Sequence, residues 1–287
     1  VSLAASLGGR GCSRRPIRDI PFPAITIVRD RVSTIAEGGK ILDLGEFQGP
    51  DGRMSKEAFL HELLGRMSVE EKAGQLNLLT GSMDATGMKH SEDLEAQIRN
   101  GLCGAVINVF TPAATRALQK LTLKTRLQIP LIFGYDVIHG HRTIFPIPLA
   151  LSCSWNLELI ERCARMAAVE AAADGLHWVF SPMVDISQDP RWGRVAEGSG
   201  EDPWLGSKIA VAMVRGYQRD DLADPTSVVA CVKHFALYGA PMGGRDYNTV
   251  DMSRRAMEET YFTPYRAAID AGARHRDAAA HSLARGL

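Results

Sequence analysis

Apolar residues along this chain become periodic near residue 55. Phe59, Leu60, Leu63, Leu64 and Met67 recur at the three- and four-residue spacing that lines one face of a helix. Ser68 with Glu71 three positions on has the form of a capping box, so a second helix starts there. One unit then repeats, a short apolar run followed by a capped amphipathic stretch. Residues 104–109 read as a strand, and Thr111-Pro112 gives an N-cap and a first-turn proline for a helix to about Leu127. Residues 131–135 form the next run, Asn156 caps a long helix through Ala173, and residues 177–184 return as a third buried run. Asp202-Pro203 opens a helix to about Tyr217, residues 228–232 form a fourth strand, and Ser253 opens a helix ending near Ala271.

Strands alternating with helices imply parallel pairing with crossover helices. The doubly wound sheet and the (β/α)8 barrel both use that order. No GxGxxG opens a helix after a strand and no GxxxxGK[ST] occurs, which removes the best support for a nucleotide-binding sheet. The expectation is an α/β fold of the TIM type, a (β/α)8 barrel domain over residues 55–272. Residues 1–54 mix Arg, Gly and Pro with one short apolar alternation at 25–28 and read as an N-terminal arm with one strand. Residues 273–287 are rich in Arg, His and Ala without a β pattern and read as an aberrant or disordered tail.

With 287 residues, 45% apolar and 23% charged, the chain can bury a sizeable core. Its 33 basic and 33 acidic residues cancel, which argues against nucleic acid as a partner and for a neutral ligand. Five cysteines (Cys12, Cys103, Cys153, Cys163, Cys231) are scattered without CxxC or a Cys/His ladder and read as packing residues, with no zinc site or disulfide framework. No apolar run approaches the ~20 residues of a bilayer span. Residues 1–9 are short and precede Arg10, Arg14 and Arg15, the reverse order of a secretory signal, so no signal peptide is visible.

Three polar clusters follow the strands, where a barrel places its chemistry. Asp136, between Gly134 and Gly140, can accept hydroxyl hydrogen bonds from a sugar edge, or equally cap a turn. His139 and His141 read as loop-orienting hydrogen bonders, since HxH without a third ligand is poor evidence for metal. In residues 185–202, Arg191, Arg194, Glu197, Glu201 and Asp202 interleave with glycines. An arginine fork there could grip vicinal hydroxyls and Trp192 could stack on a sugar face, but the alternative is a salt-bridged loop. Lys233-His234 stands at the end of the fourth strand, before a glycine-rich stretch. Adjacent strand residues face opposite ways, so both reach one pocket only if the backbone bends there.

The segments FGYDVIHGHRTIFPIPLALSCSWN, SPMVDISQDPRWGRVAEGSGEDP and VKHFALYGAPMGGRDYNTVDMS, in that order, together resemble glycoside hydrolase family 3, most closely its bacterial β-glucosidases. The likeness runs from about Glu57 to about Gly272 and includes MSVEEKAGQLN. It implies retaining hydrolysis of terminal non-reducing β-D-glucosyl residues, with a small β-glucoside or β-glucan oligosaccharide as ligand and no cofactor. It implies that Asp136, Arg194, Lys233 and His234 hold the sugar, with Arg191 and Glu197 as supports. By resemblance the protein is periplasmic or extracellular.

The same resemblance places the nucleophilic Asp in a later Ser-Asp motif and the acid/base residue in a following domain, both expected beyond Leu287. The barrel is thus expected to be incomplete at its C-terminal end and this chain to be inactive. Ser199 stands where an aromatic residue is expected. Ala236-Leu237-Tyr238-Gly239 after Lys233-His234-Phe235 lacks the Pro-Gly-His of the family's N-acetylglucosaminidases and disfavours that branch. β-Xylosidase activity and a non-catalytic sugar-binding or misfolded fragment stay open.

Overall fold

A computed structural model describes residues 26–28, 31–35, 41–46, 55–81, 93–273 and 275–278. The chain divides into two compact units, the first ending at Leu60 and the second beginning at His61. The first contains an antiparallel sheet ordered β1 (Thr26–Val28), β2 (Arg31–Ile35) and β3 (Ile41–Glu46). The single strand expected in the arm is β1. β2 and β3 are additional to it.

In the second unit six parallel strands pair in chain order: β4 (Leu78–Thr80), β5 (Ala105–Ile107), β6 (Ile132–Tyr135), β7 (Trp178–Val179), β8 (Val229–Phe235) and β9 (His275–Ala278). The sheet is open, with β4 and β9 at its edges. A parallel α/β fold is therefore present, and eight strands closed into a barrel are not found among the described residues. β4 escapes sequence reading because it is three residues long. β9 lies where no strand pattern is visible; main-chain N–H and C=O groups make that pairing whatever the side chains. Residues 279–287 of the expected tail lie outside the described residues.

The helices are α1 (Lys56–Arg66), α2 (Val69–Gln75), α3 (Leu94–Arg99), α4 (Pro112–Thr122), α5 (Pro148–Ser152), α6 (Leu157–Ala173), α7 (Pro203–Gln218), α8 (Arg254–Ala256) and α9 (Phe262–Asp270), the last two joined by a π turn, Met257–Tyr261. Ser68, Thr111, Asn156, Asp202 and Ser253 each accept a backbone N–H at a helix start, the Ser68 box being complete. Such a cap contributes about 1 kcal/mol. α4 stops short of Leu127: Lys124 and Thr125 donate their N–H groups to Leu121 and Thr122, three residues back, and the helix tightens into turns.

The core lies between sheet and helices. Val106, Phe133, Val179, Ala230 and Val232 from the strands meet Ala164, Ala167, Ala168 and Ala171 of α6 and Ile209, Ala210, Met213 and Val214 of α7. The alanines let α6 and α7 approach closely, and at Gly216 a Cβ would lie 2.5 Å from the Glu161 carbonyl oxygen. Of the third apolar run, only Trp178 and Val179 join the ladder, after which a cis Ser181-Pro182 peptide and one bridge, Met183 to Lys233, carry it on. That excursion brings Asp185 to the C-terminal end of β8. Cys103 and Cys231 are buried as expected for packing, Cys153 is exposed, and Cys12 lies outside the described residues.

Candidate functional site

Asp136 directly follows β6, and Lys233 is the fifth residue of β8. The Lys233 ammonium donates to Asp136 Oδ1 at 2.6 Å. The two differ in access: the Lys233 side chain is 4% exposed and that of Asp136 48%. A buried ammonium needs such a partner, because an unpaired charge there costs several kcal/mol. The carboxylate keeps accessible lone pairs after satisfying it.

His234 comes next, through a cis peptide, and the β8–β9 register slips between Val232 and Phe235. The bend that sequence required is present, and both side chains serve the same end of the sheet. Asp185 Oδ2 accepts from the His234 backbone N–H and pairs with ring Nδ1, each at 2.9 Å. The Tyr265 hydroxyl of α9 donates to Asp185 Oδ1 at 3.1 Å.

Arg194 sits in a 3-10 turn, Gly193–Glu197, and forks onto Glu197 through Nε (2.6 Å) and Nη2 (2.8 Å). Burial pushes the Glu197 carboxyl up, but Arg194, with the charge of Lys233, outweighs it and holds the carboxyl below its ordinary value. The guanidinium lies 5.3 Å from the centre of the Tyr238 ring. Tyr238 meets His234 edge to face at 4.9 Å and Trp192 at 5.3 Å. Asp136, Arg194, Lys233 and His234, spread over 99 positions from 136 to 234, thus gather at the C-terminal ends of the strands.

Tyr238 and Asp185 are the residues that sequence reasoning gave no positioning role. Tyr238 sits in the quoted motif and no spacing rule marks its ring as a hub. Asp185 reads as one more carboxylate of an Arg-rich loop, although its partners are a histidine and a tyrosine. The stacking role for Trp192 is corrected: its ring is fully buried and its indole N–H donates to Asp246 Oδ1 at 2.8 Å, leaving no face for a ligand. Arg191 is 73% exposed and forks onto Asp189, so it does not touch the Arg194–Glu197 pair.

His139 and His141 orient a loop, as expected. His139 Nδ1 bonds the Phe145 carbonyl and His141 Nε2 bonds Asp174 Oδ2. Arg142 also pairs with Asp174, and Glu170 accepts from the N–H groups of Arg142 and Thr143 and from the Thr143 hydroxyl, pinning the loop after Asp136 to the last turn of α6. Among the described residues no three His, Cys, Asp or Glu side chains are placed to hold a metal, and no helix is long and apolar enough to cross a membrane. A cavity of about 120 Å³ lined by Glu71, Gln75, Ile98, Cys103 and Arg126 lies at the N-terminal ends of β5 and β6, away from this cluster.

An accessible carboxylate, two cations and an imidazole converging from three βα units can hold a neutral ligand with several hydroxyl groups. The chain is 46% identical over 219 residues to a periplasmic β-glucosidase of Salmonella typhimurium, covering 76% of this chain and 28% of that protein. A β-xylosidase of Formosa agariphila is 37% identical over 156 residues, covering 50% of this chain and 22% of the relative. The β-glucosidase of Listeria innocua, solved with glucose, superposes with a TM-score of 0.71 at 41% identity over 79% of this chain and 33% of that one. It has also been solved with isofagomine and, as a point mutant, with laminaribiose. The chain spans about a third of the length of these β-glucosidases or less. Residues 68–279 match the model of the glycosyl hydrolase family 3 N-terminal domain, and the chain belongs to glycoside hydrolase family 3.

Proposed function

We propose that this chain forms the sugar-holding part of a retaining β-glucosidase that removes terminal non-reducing β-D-glucosyl residues from β-glucosides or short β-glucans. The observation that carries the reading is the half-exposed Asp136 carboxylate, held by the buried Lys233 ammonium and flanked by His234 and the Arg194 fork. In this reading Asp136 accepts from two hydroxyls at the sugar's far edge, while Arg194 and Lys233 donate to hydroxyl oxygens. Glu197 keeps Arg194 in place. The parallel sheet is then part of a (β/α)8 barrel, and the names of the relatives favour an extracytoplasmic setting.

Retaining cleavage needs two carboxyl groups about 5–5.5 Å apart, one attacking the anomeric carbon and the other serving as acid and then base. None of the site carboxylates suits the attack. Asp136 is committed to Lys233, Glu197 to Arg194 and Asp185 to His234 and Tyr265. Each is already occupied by protein donors, and Arg194 holds the Glu197 carboxyl below its ordinary value, which weakens it as a nucleophile. The 287-residue chain should therefore release no glucose from an aryl β-glucoside above a buffer blank.

The test is a chimera in which this chain is continued by the remaining part of the Salmonella β-glucosidase, assayed beside the chain alone. Turnover by the chimera with β-glucose as the first-formed anomer supports the reading. Glucose release by the short chain, abolished by replacing one of its carboxylates, would overturn it. β-Xylosidase is the second reading, favoured by the Formosa relative; a larger kcat/KM on aryl β-xyloside than on aryl β-glucoside would establish it.

A further inference from the structure

Lys233 and His234 are each matched by a carboxylate from a preceding βα unit, and the two carboxylates stand in contrasting settings. Asp136 is 48% exposed and can meet a ligand, whereas the Asp185 side chain is 1% exposed and meets only protein donors. We propose that Asp185 is the positioning residue of the site: it fixes His234 as the Nδ1–H tautomer, so that Nε2 faces the sugar as a hydrogen-bond acceptor. The inference rests on the sugar-holding reading above for its functional meaning, not for its geometry.

An ionised carboxylate only accepts hydrogen bonds, so the imidazole nitrogen 2.9 Å from Asp185 Oδ2 must carry a proton. The same oxygen accepts the His234 backbone N–H at 2.9 Å, which locks ring and main chain to one atom and leaves the imidazole no freedom to flip. Oδ1 is occupied by the Tyr265 hydroxyl, so the carboxylate is itself held from α9. The other face of the arrangement is open: among the described residues none bonds Nε2, and His234 keeps 9% exposure. Tyr238 packs against the ring edge to face and restrains its plane. In the neutral ring the bare Nε2 accepts from a hydroxyl hydrogen. Asp136 and His234 then accept, Arg194 and Lys233 donate, and hydroxyl groups, which both donate and accept, satisfy all four.

The tautomer is directly observable. The intact 287-residue chain, labelled with ¹⁵N only in its eight histidines, would be examined by long-range ¹H–¹⁵N correlation at about pH 9, above the ordinary imidazole range. His234→Gln assigns the ring by loss of its signals. The expected result is a protonated, pyrrole-type Nδ1 and a bare, pyridine-type Nε2, the reverse of the form that neutral imidazole favours in water. Asp185→Ala should shift the ring toward the Nε2–H form, while Tyr265→Phe should leave the tautomer as it is. If Asp185→Ala fails to fold, Asp185→Asn replaces it and should move the Nδ1 proton resonance upfield as the bond loses its charge. A protonated Nε2 in the unmodified chain, or an unchanged ring spectrum in the Asp185 variants, would overturn the proposal. Since no sugar is needed, the tautomer can be confirmed even if glucose fails to bind, and that outcome would count against the sugar-holding reading alone.

Discussion

Gly216 tests the packing that carries the site. It lies in α7 facing α6, and a Cβ built there would stand 2.5 Å from the Glu161 carbonyl oxygen, 2.6 Å from the Ala164 Cβ and 3.1 Å from the Arg165 nitrogen. Two effects compete in Gly216→Ala. Within a helix, alanine is better than glycine by about 1 kcal/mol. Against this, the atoms met are backbone and a Cβ that cannot swing away, so the helices must part by about 1 Å, and a gap of that size forfeits a quarter to a half of each facing dispersion contact. Overpacking of this kind costs about 1–3 kcal/mol, and the added loss along the Ala164, Ala167, Ala168 and Ala171 seam places it at the upper end. The net expectation is a loss of about 2 kcal/mol, or about 4–8 °C in Tm for a domain of this size. Thermal and urea unfolding followed by circular dichroism would measure it. A Tm unchanged or raised would show that α6 and α7 have room at Gly216.

Other outcomes follow from the same contacts. Asp174, held by Arg142 and His141, and Glu197, held by Arg194 against its burial, both have carboxyl groups below their ordinary values. Depressed carboxylates contribute stability that is present above the unfolded-state value near pH 4 and lost as pH falls through the folded one, so the urea midpoint should drop below about pH 4. Trp192→Phe removes the indole bond to Asp246 and leaves a space in a buried position; the loss should be about 1–3 kcal/mol by urea unfolding. In the chimera with the Salmonella enzyme, Asp136→Ala should lower kcat/KM on an aryl β-glucoside by at least the ~1.5–3 kcal/mol of a charged hydrogen bond, about ten- to a hundredfold. An unchanged kcat/KM would contradict the role given to Asp136.

Much of this was legible in the chain. Each of the five predicted N-caps is a cap, because a short polar side chain before a periodic run has few other uses. The four apolar runs became parallel neighbours because each is followed by a helix that returns the chain to the same sheet edge. β4 and β9 were not legible, since short edge strands are held by main-chain pairing that leaves little side-chain pattern. At the site, the motifs gave Asp136, Arg194, Lys233 and His234, but not the partners that decide their states. Asp185 reaches His234 only through the excursion after β7, and burial turned Trp192 inward although its sequence setting suggested a ligand platform. Both depend on tertiary geometry that spacing alone does not encode.

The most direct test of the proposed sugar pocket is a crystal structure of this chain soaked with glucose. Glucose should lie at the C-terminal ends of β6 and β8, with hydroxyls within hydrogen-bond distance of the Asp136 carboxylate, the Arg194 guanidinium, the Lys233 ammonium and His234 Nε2. Glucose bound elsewhere, or no glucose at these four residues with the Asp136–Lys233 and His234–Asp185 pairs intact, would contradict it.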